Sequence, residues 1–120
     1  MMQYVDKLWG SEEHITNNEL YCTKFLNLKK GYQCSLHYHK VKDETFYIYN
    51  GVVELEIDLD GQRETLIMKP GDSYRIPPGL AHRFRCQTDT ATIIESSTHD
   101  MAEDSYRIEP SCKIKEGNGN

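Results

Sequence analysis

Val53, Leu55, Ile57 and Leu59 alternate with Glu54, Glu56, Asp58 and Asp60. An apolar residue at every second position fits an extended strand with one face buried and one wet. Asp60-Gly61 follows at once, and glycine there supplies the positive φ of a tight hairpin. The chain returns through Leu66, Ile67 and Met68 to the turn Lys69-Pro70-Gly71-Asp72. Further strands are expected over residues 21–28, 34–38, 45–49, 73–76, 82–86 and 90–95, separated by Lys30-Gly31, Asn50-Gly51 and Pro77-Pro78-Gly79. No segment carries a convincing amphipathic helix. Many short strands at regular spacing predict an all-β fold, an antiparallel barrel or sandwich. The first twenty residues show little pattern beyond a turn at Asn17-Asn18, and residues 117–120 read as a frayed tail.

The 120 residues suffice for one core and not two, so residues 1–116 are expected to form a single domain with its core over 21–108. The formal net charge of -5 argues against nucleic acid and against an anionic membrane surface. The N-terminus lacks the apolar run of a signal peptide, and no stretch is long enough to span a bilayer. Cys22, Cys34, Cys86 and Cys112 form no CxxC pair and are expected as reduced thiols in a cytoplasm.

His37 and His39 are two apart, a spacing that puts both imidazoles on one face of a strand. Glu44 opens the next strand after a short link, and His82 follows the stiff turn Pro77-Pro78-Gly79. Three neutral imidazoles and one carboxylate suit one divalent ion such as Mn, Fe, Co, Ni or Zn. The cation offsets the charge cost of burying Glu44. Ligation needs neutral imidazoles, so metal is expected to leave near pH 5.

These positions carry a resemblance to the cupin family. Its first motif is Gly, five residues, His-x-His, three or four residues, Glu, six residues, Gly; here it reads Gly31, His37-Tyr38-His39, Glu44, Gly51. Its second is Gly, five residues, Pro-x-Gly, two residues, His, three residues, Asn; here it reads Gly71, Pro77-Pro78-Gly79, His82, with Cys86 in place of the Asn. The resemblance implies a jelly-roll barrel, or double-stranded β-helix, with His37, His39, Glu44 and His82 as metal ligands. Cys86 shares strand parity with His82 and Phe84 and is expected as a small apolar filler inside the barrel.

Three further features are similar to sugar isomerases of this family. Lys42, two residues before Glu44, resembles a lysine that contacts the sugar in D-lyxose ketol-isomerases. Trp9-Gly10-Ser11-Glu12 resembles a segment of type II mannose-6-phosphate isomerases. Glu95, at the end of an apolar strand, and Asp104 beyond it resemble two acids lining the D-lyxose isomerase pocket. The resemblance implies aldose–ketose isomerisation through an enediol stabilised by the metal, manganese first among the candidates. Glu95 would shuttle the proton, and Lys42, Arg75 and Asp104 would hold the sugar. Two other readings fit the same ligands: an Fe(II)-dependent dioxygenase acting on a small molecule, and a metal- or sugar-binding cupin without turnover. Thr45, Tyr47 and Tyr49 share the strand face opposite Glu44, Phe46 and Ile48. Exposed tyrosines suit a partner surface, and the family resemblance also points to a homodimer.

Overall fold

The structure, a computed structural model, describes residues 2–115. Along the chain run β1 (Gln3–Lys7), β2 (Gly10–Asn17), β3 (Cys22–Lys29), β4 (Tyr32–Gln33), β5 (Leu36–Tyr38), β6 (Glu44–Asn50), β7 (Val53–Leu59), β8 (Gln62–Met68), β9 (Ser73–Ile76), β10 (Ala81–Cys86), β11 (Thr90–Ser97), a 3-10 turn (Ala102–Asp104), β12 (Tyr106–Glu109) and β13 (Cys112–Lys113). The tail expected over 117–120 lies outside the described residues.

One sheet has the order β1-β2-β3-β11-β6-β9, with every pair antiparallel. In the second, β10 pairs with β7 on one side and with β4 and β5 on the other; β8 extends β7, β12 extends β5, and β13 extends β4. The two sheets pack on each other as an all-β sandwich, the architecture that the strand pattern predicts. Among the described residues no helix is long and apolar enough to cross a membrane, and all four cysteines are free thiols.

The interior changes character along each central strand. Inward residues run Leu28, Leu26, Lys24 on β3; Ala91, Ile93, Glu95 on β11; Ile48, Phe46, Glu44 on β6; and Cys86, Phe84, His82 on β10, all of them buried. Their apolar members join one cluster with Leu55, Ile57 and Trp9. Trp9, on the turn between β1 and β2, meets Phe84 edge-on with ring centroids 4.9 Å apart. The polar members converge at the other end, where the site lies. Cys86 packs in the apolar cluster, as its strand parity predicts.

Three departures from the sequence reading have physical causes. The segment 34–38 is interrupted. Gln33 pairs with Arg85 and His37 with His82, so four steps on one strand match three on β10, and the extra residue splits the run into β4 and β5. The opening residues form the hairpin β1–β2, whose inward residues Glu12 and His14 are polar and hide the apolar period. Leu59 is exposed at the hairpin end and does not continue the buried alternation of Val53, Leu55 and Ile57.

Gly51 has φ 76°, and a Cβ there would stand 2.5 Å from the Thr90 backbone oxygen. Gly61 has φ 87° with nothing within 4 Å of an added Cβ. Gly61→Ala should therefore cost only the left-handed strain, about 1–2 kcal/mol. Gly51→Ala should cost more than Gly61→Ala, since backbone must also move. Thermal melts of the two variants check this; equal losses would contradict the close approach.

Candidate metal centre and its cavity

β5 and the residue just beyond it carry His37 and His39, and β10 carries His82 directly across from His37. One ring nitrogen from each of the three lies within 4.8 Å of the others. Each Nδ1 lies against a backbone carbonyl: His37 on Ser35 at 2.8 Å, His39 on Asp104 at 2.9 Å, His82 on Leu80 at 2.9 Å. A carbonyl only accepts, so each Nδ1 carries the hydrogen and each Nε2 keeps its lone pair for a ligand.

Glu44, at the start of β6, completes the group. Its Oε2 stands 3.2 Å from His82 Nε2 and 3.4 Å from His39 Nε2. Glu44 Oε2 and His82 Nε2 are both buried and lack a hydrogen-bond partner. Lone pair faces lone pair, and a cation seated between them satisfies both. The donor set of three imidazole nitrogens and one carboxylate fits a divalent transition metal. Burial and the neighbouring His82 push His37 down to about 3, with Ser35 opposing. Burial and the Lys42 ammonium likewise lower His39. Burial opposes the Glu44 charge, and the polar groups around it, His82 and the Lys42 ammonium first among them, keep the carboxyl below its usual range.

Lys42 is the third layer. Its Nζ lies 3.1 Å from Glu95 Oε2, 3.0 Å from Asp100 Oδ1 and 3.5 Å from Glu44 Oε1. Burial disfavours the ammonium, but those three carboxylates prevail and raise it above the usual lysine range. Burial and the Glu44 charge push Glu95 up, against Lys42 and Lys24. Asp100 is held well below the usual carboxylate range: burial opposes, and Lys42 and Lys24 win. Lys24 Nζ bonds Asp100 Oδ2 at 2.8 Å. All of these groups line one cavity of about 520 Å³, together with Glu12, His14, Cys34 and Phe84.

The structure lines this cavity with His37, His39, Glu44, Lys42 and Glu95, and sets the buried His82 behind them against Glu44. It does not gather Arg75. Ile76 points inward from β9, so its neighbour Arg75 points out, where it pairs with Asp43 at 2.7 Å. Asp104 is buried but turned away from the cavity. Its carboxylate accepts from the Lys40, Val41 and Lys42 backbone N–H groups at 2.9–3.1 Å, and its carbonyl from His39. Asp104 therefore clamps the loop that carries Lys42, and Asp100 is the acid that meets Lys42 in the cavity. The sequence reading missed Asp100, Lys24, Glu12 and His14. Asp100 had a signal as an earlier acid after Glu95, and Glu12 had one as the end of the Trp9-Gly10-Ser11-Glu12 resemblance, which named no role for it.

The chain belongs to the cupin domain family, whose model matches residues 24–97. It is 28% identical to the D-lyxose ketol-isomerase of Thermofilum sp. (strain ex4484_79), over 81% of this chain and 67% of that protein. It is 36% identical to the uncharacterized protein YdbB of Bacillus subtilis (strain 168), over 63% of this chain and 63% of that protein. It is 38% identical to the polyketide synthase CurC of Streptomyces cyaneus, over 48% of this chain and 35% of that protein. The fold also matches oxalate decarboxylase from Bacillus subtilis, with TM-score 0.80, 19% identity, and coverage of 89% of this chain and 30% of that one. The chain thus spans only about a third of some of the proteins it resembles.

The depressed His37 sets the acid behaviour. Between its unfolded value near 6.5 and its folded value of about 3, only the unfolded chain takes up the proton at this site. Metal-free protein should therefore lose thermal stability as pH falls from about 6.5 toward 3. Burial disfavours protonated His37 and His39, so acid release of metal should need a lower pH than free imidazoles would. Metal analysis after dialysis at stepped pH checks this; complete loss at pH 5 would contradict it.

Proposed function

We propose that this protein is a metal-dependent sugar isomerase that interconverts an aldose and its ketose. The observation that carries the reading is the buried Lys42–Glu95 pair, 3.1 Å apart, in the cavity that His37, His39 and Glu44 also line. Aldose–ketose exchange moves one proton between two adjacent carbons. Glu95, with its ionisation pushed upward, is suited to take that proton and return it. Lys42 and Asp100 are suited to hold the sugar hydroxyls and the charge that develops on oxygen. A divalent ion on His37, His39, Glu44 and His82 would supply Lewis-acid polarisation of the substrate oxygens. We assign manganese; the fold relative oxalate decarboxylase is described with Mn(II) centres, which supports the choice. The similarity to a D-lyxose ketol-isomerase supports the reaction class. Four free thiols fit a reducing cytoplasm.

The test is anaerobic turnover of a panel of free and phosphorylated aldoses and ketoses by Mn-loaded protein. An oxygenase would need O2, and a binder would turn over nothing. Glu95→Gln should lower turnover by about a hundredfold or more and keep the metal, because a glutamine cannot accept the proton. Lys42→Met should keep the metal and lower kcat/KM. His82→Ala should lose metal and activity together. Parent-level turnover in both Glu95→Gln and Lys42→Met would sink the proposal.

We also propose that two copies associate through the outer face of the six-stranded sheet. Register puts Phe25, Ile94 and Tyr47 in one row across it, with Thr23, Ser96 and Thr45 in the next. These six residues are uncharged on a chain of net charge -5, so like charges do not oppose a second copy there. Light scattering at micromolar concentration should give twice the 14.0 kDa chain mass, and Tyr47→Glu should give the monomer. A parent monomer rejects this surface.

A further inference from the structure

β2 brings two groups to the cavity that isomerisation leaves without a role. Glu12 and His14 both line it, two residues apart on the inward face of β2. His14 Nε2 lies 2.6 Å from Glu12 Oε1. A carboxylate accepts, so Nε2 carries the hydrogen and Nδ1 keeps its lone pair. Among the described residues Nδ1 has no hydrogen-bond partner. The result is an imidazole oriented by a carboxylate, with a free basic nitrogen in a solvent-reachable cavity.

Register fixes where this pair stands. His14 pairs with Lys24 across β2 and β3, and Lys24 pairs with Glu95 across β3 and β11. The backbones of His14 and Glu95 are thus two strand spacings apart, about 10 Å. Both side chains enter the cavity from the same sheet, with Lys24 on the strand between them, a span that one bound monosaccharide covers. Lys24, 3.8 Å from Glu12 and 2.8 Å from Asp100, links the β2 pair to the acid that meets Lys42.

An aldose in water is almost wholly cyclic, and its closed hemiacetal has no carbonyl beside C2 to make that carbon's proton acidic. The ring must open first. We propose that His14, held by Glu12, opens the ring, and that the protein therefore also interconverts the anomers of a free aldose. His14 Nδ1 takes the proton from O1. The O1 electron pair forms the C1=O bond while the C1–O5 bond breaks onto O5. Nδ1 then gives the same proton to O5, which it reaches because O1 and O5 share C1. Reclosure on the other face of C1 yields the other anomer, with no atom or electron left over. The substrate class rests on the isomerase reading; the step itself does not need Glu95.

Polarimetry of a freshly dissolved single anomer of an aldopentose or aldohexose separates the two ideas. The Mn-loaded Glu95→Gln protein, unable to isomerise, should still speed the approach to anomeric equilibrium above the buffer rate. Adding His14→Gln should remove at least about tenfold of that acceleration, and Glu12→Gln, which keeps the imidazole, should weaken it. Melting temperature and metal content of the His14 and Glu12 variants should match the parent. With otherwise parent protein, His14→Gln should slow isomerisation of the cyclic sugar but not of an acyclic aldose lacking the C4 and C5 hydroxyls. Isomerisation without catalysed anomer exchange overturns this inference and leaves the isomerase reading standing. Anomer exchange without isomerisation supports the inference and overturns that reading. Retention of anomer exchange in His14→Gln overturns the assignment to His14.

Discussion

A single unpaired carboxylate oxygen organises this protein. Glu44 is 2% exposed, and its Oε2 faces the Nε2 lone pairs of His39 and His82 at 3.4 Å and 3.2 Å. Such an acceptor cluster is costly unless a proton or a metal ion stands in it, since an unpaired charge in a dry interior costs several kcal/mol. The proton is the poorer solution here. Each imidazole already spends its Nδ1 hydrogen on a carbonyl, and burial resists charging His37 and His39. A divalent cation satisfies every lone pair at once without forcing an imidazole to ionise.

The backbone is arranged to make that point reachable. On β3, β6, β10 and β11 the inward side chains are apolar at one end and ionisable at the other. Apolar packing holds the strands in register, and register decides which ionisable groups meet. His37 faces His82 because β5 pairs with β10, and the extra residue between β4 and β5 sets that pairing. The charges beyond the ligands are then balanced in layers. Lys42 is shared by Glu44, Glu95 and Asp100, and Lys24 by Asp100 and Glu12. Two ammonium groups against four carboxylates leave an excess of negative charge, which a divalent ion cancels.

Much of this was legible before any coordinates. The alternation of β7 and the glycine turns define an all-β chain because period two and positive φ are local properties. His37, His39, Glu44 and His82 were legible for a similar reason: each sits at a fixed offset from a turn or strand start. Lys42 and Glu95 were legible through neighbouring residues and through resemblance. Arg75 was not, because its side depends on the inward turn of Ile76. Asp104 was misplaced for another reason. A four-residue difference separates an acid that enters the cavity, Asp100, from one that turns back to bind three backbone N–H groups. Composition carries no signal for that distinction.

The least legible segment is the most telling. β2 reads as no element at all because its inward face carries Glu12 and His14 where a structural strand would carry apolar residues. A sequence that specifies a fold keeps pattern and position consistent, and departures concentrate where chemistry displaces packing. The hairpin is held by other means. Gly10 lies so close to β3 that a Cβ there would stand 1.8 Å from the Asn27 oxygen, and Asn27 reaches Ser11 at 3.3 Å and Glu13 at 2.9 Å on the opposite face of β2. Trp9 anchors the turn in the core. With its outer face and its turn fixed in this way, β2 is free to spend its inner face on ionisable groups. The same segment that defeats a hydrophobic pattern is therefore the one whose side chains are available to a ligand.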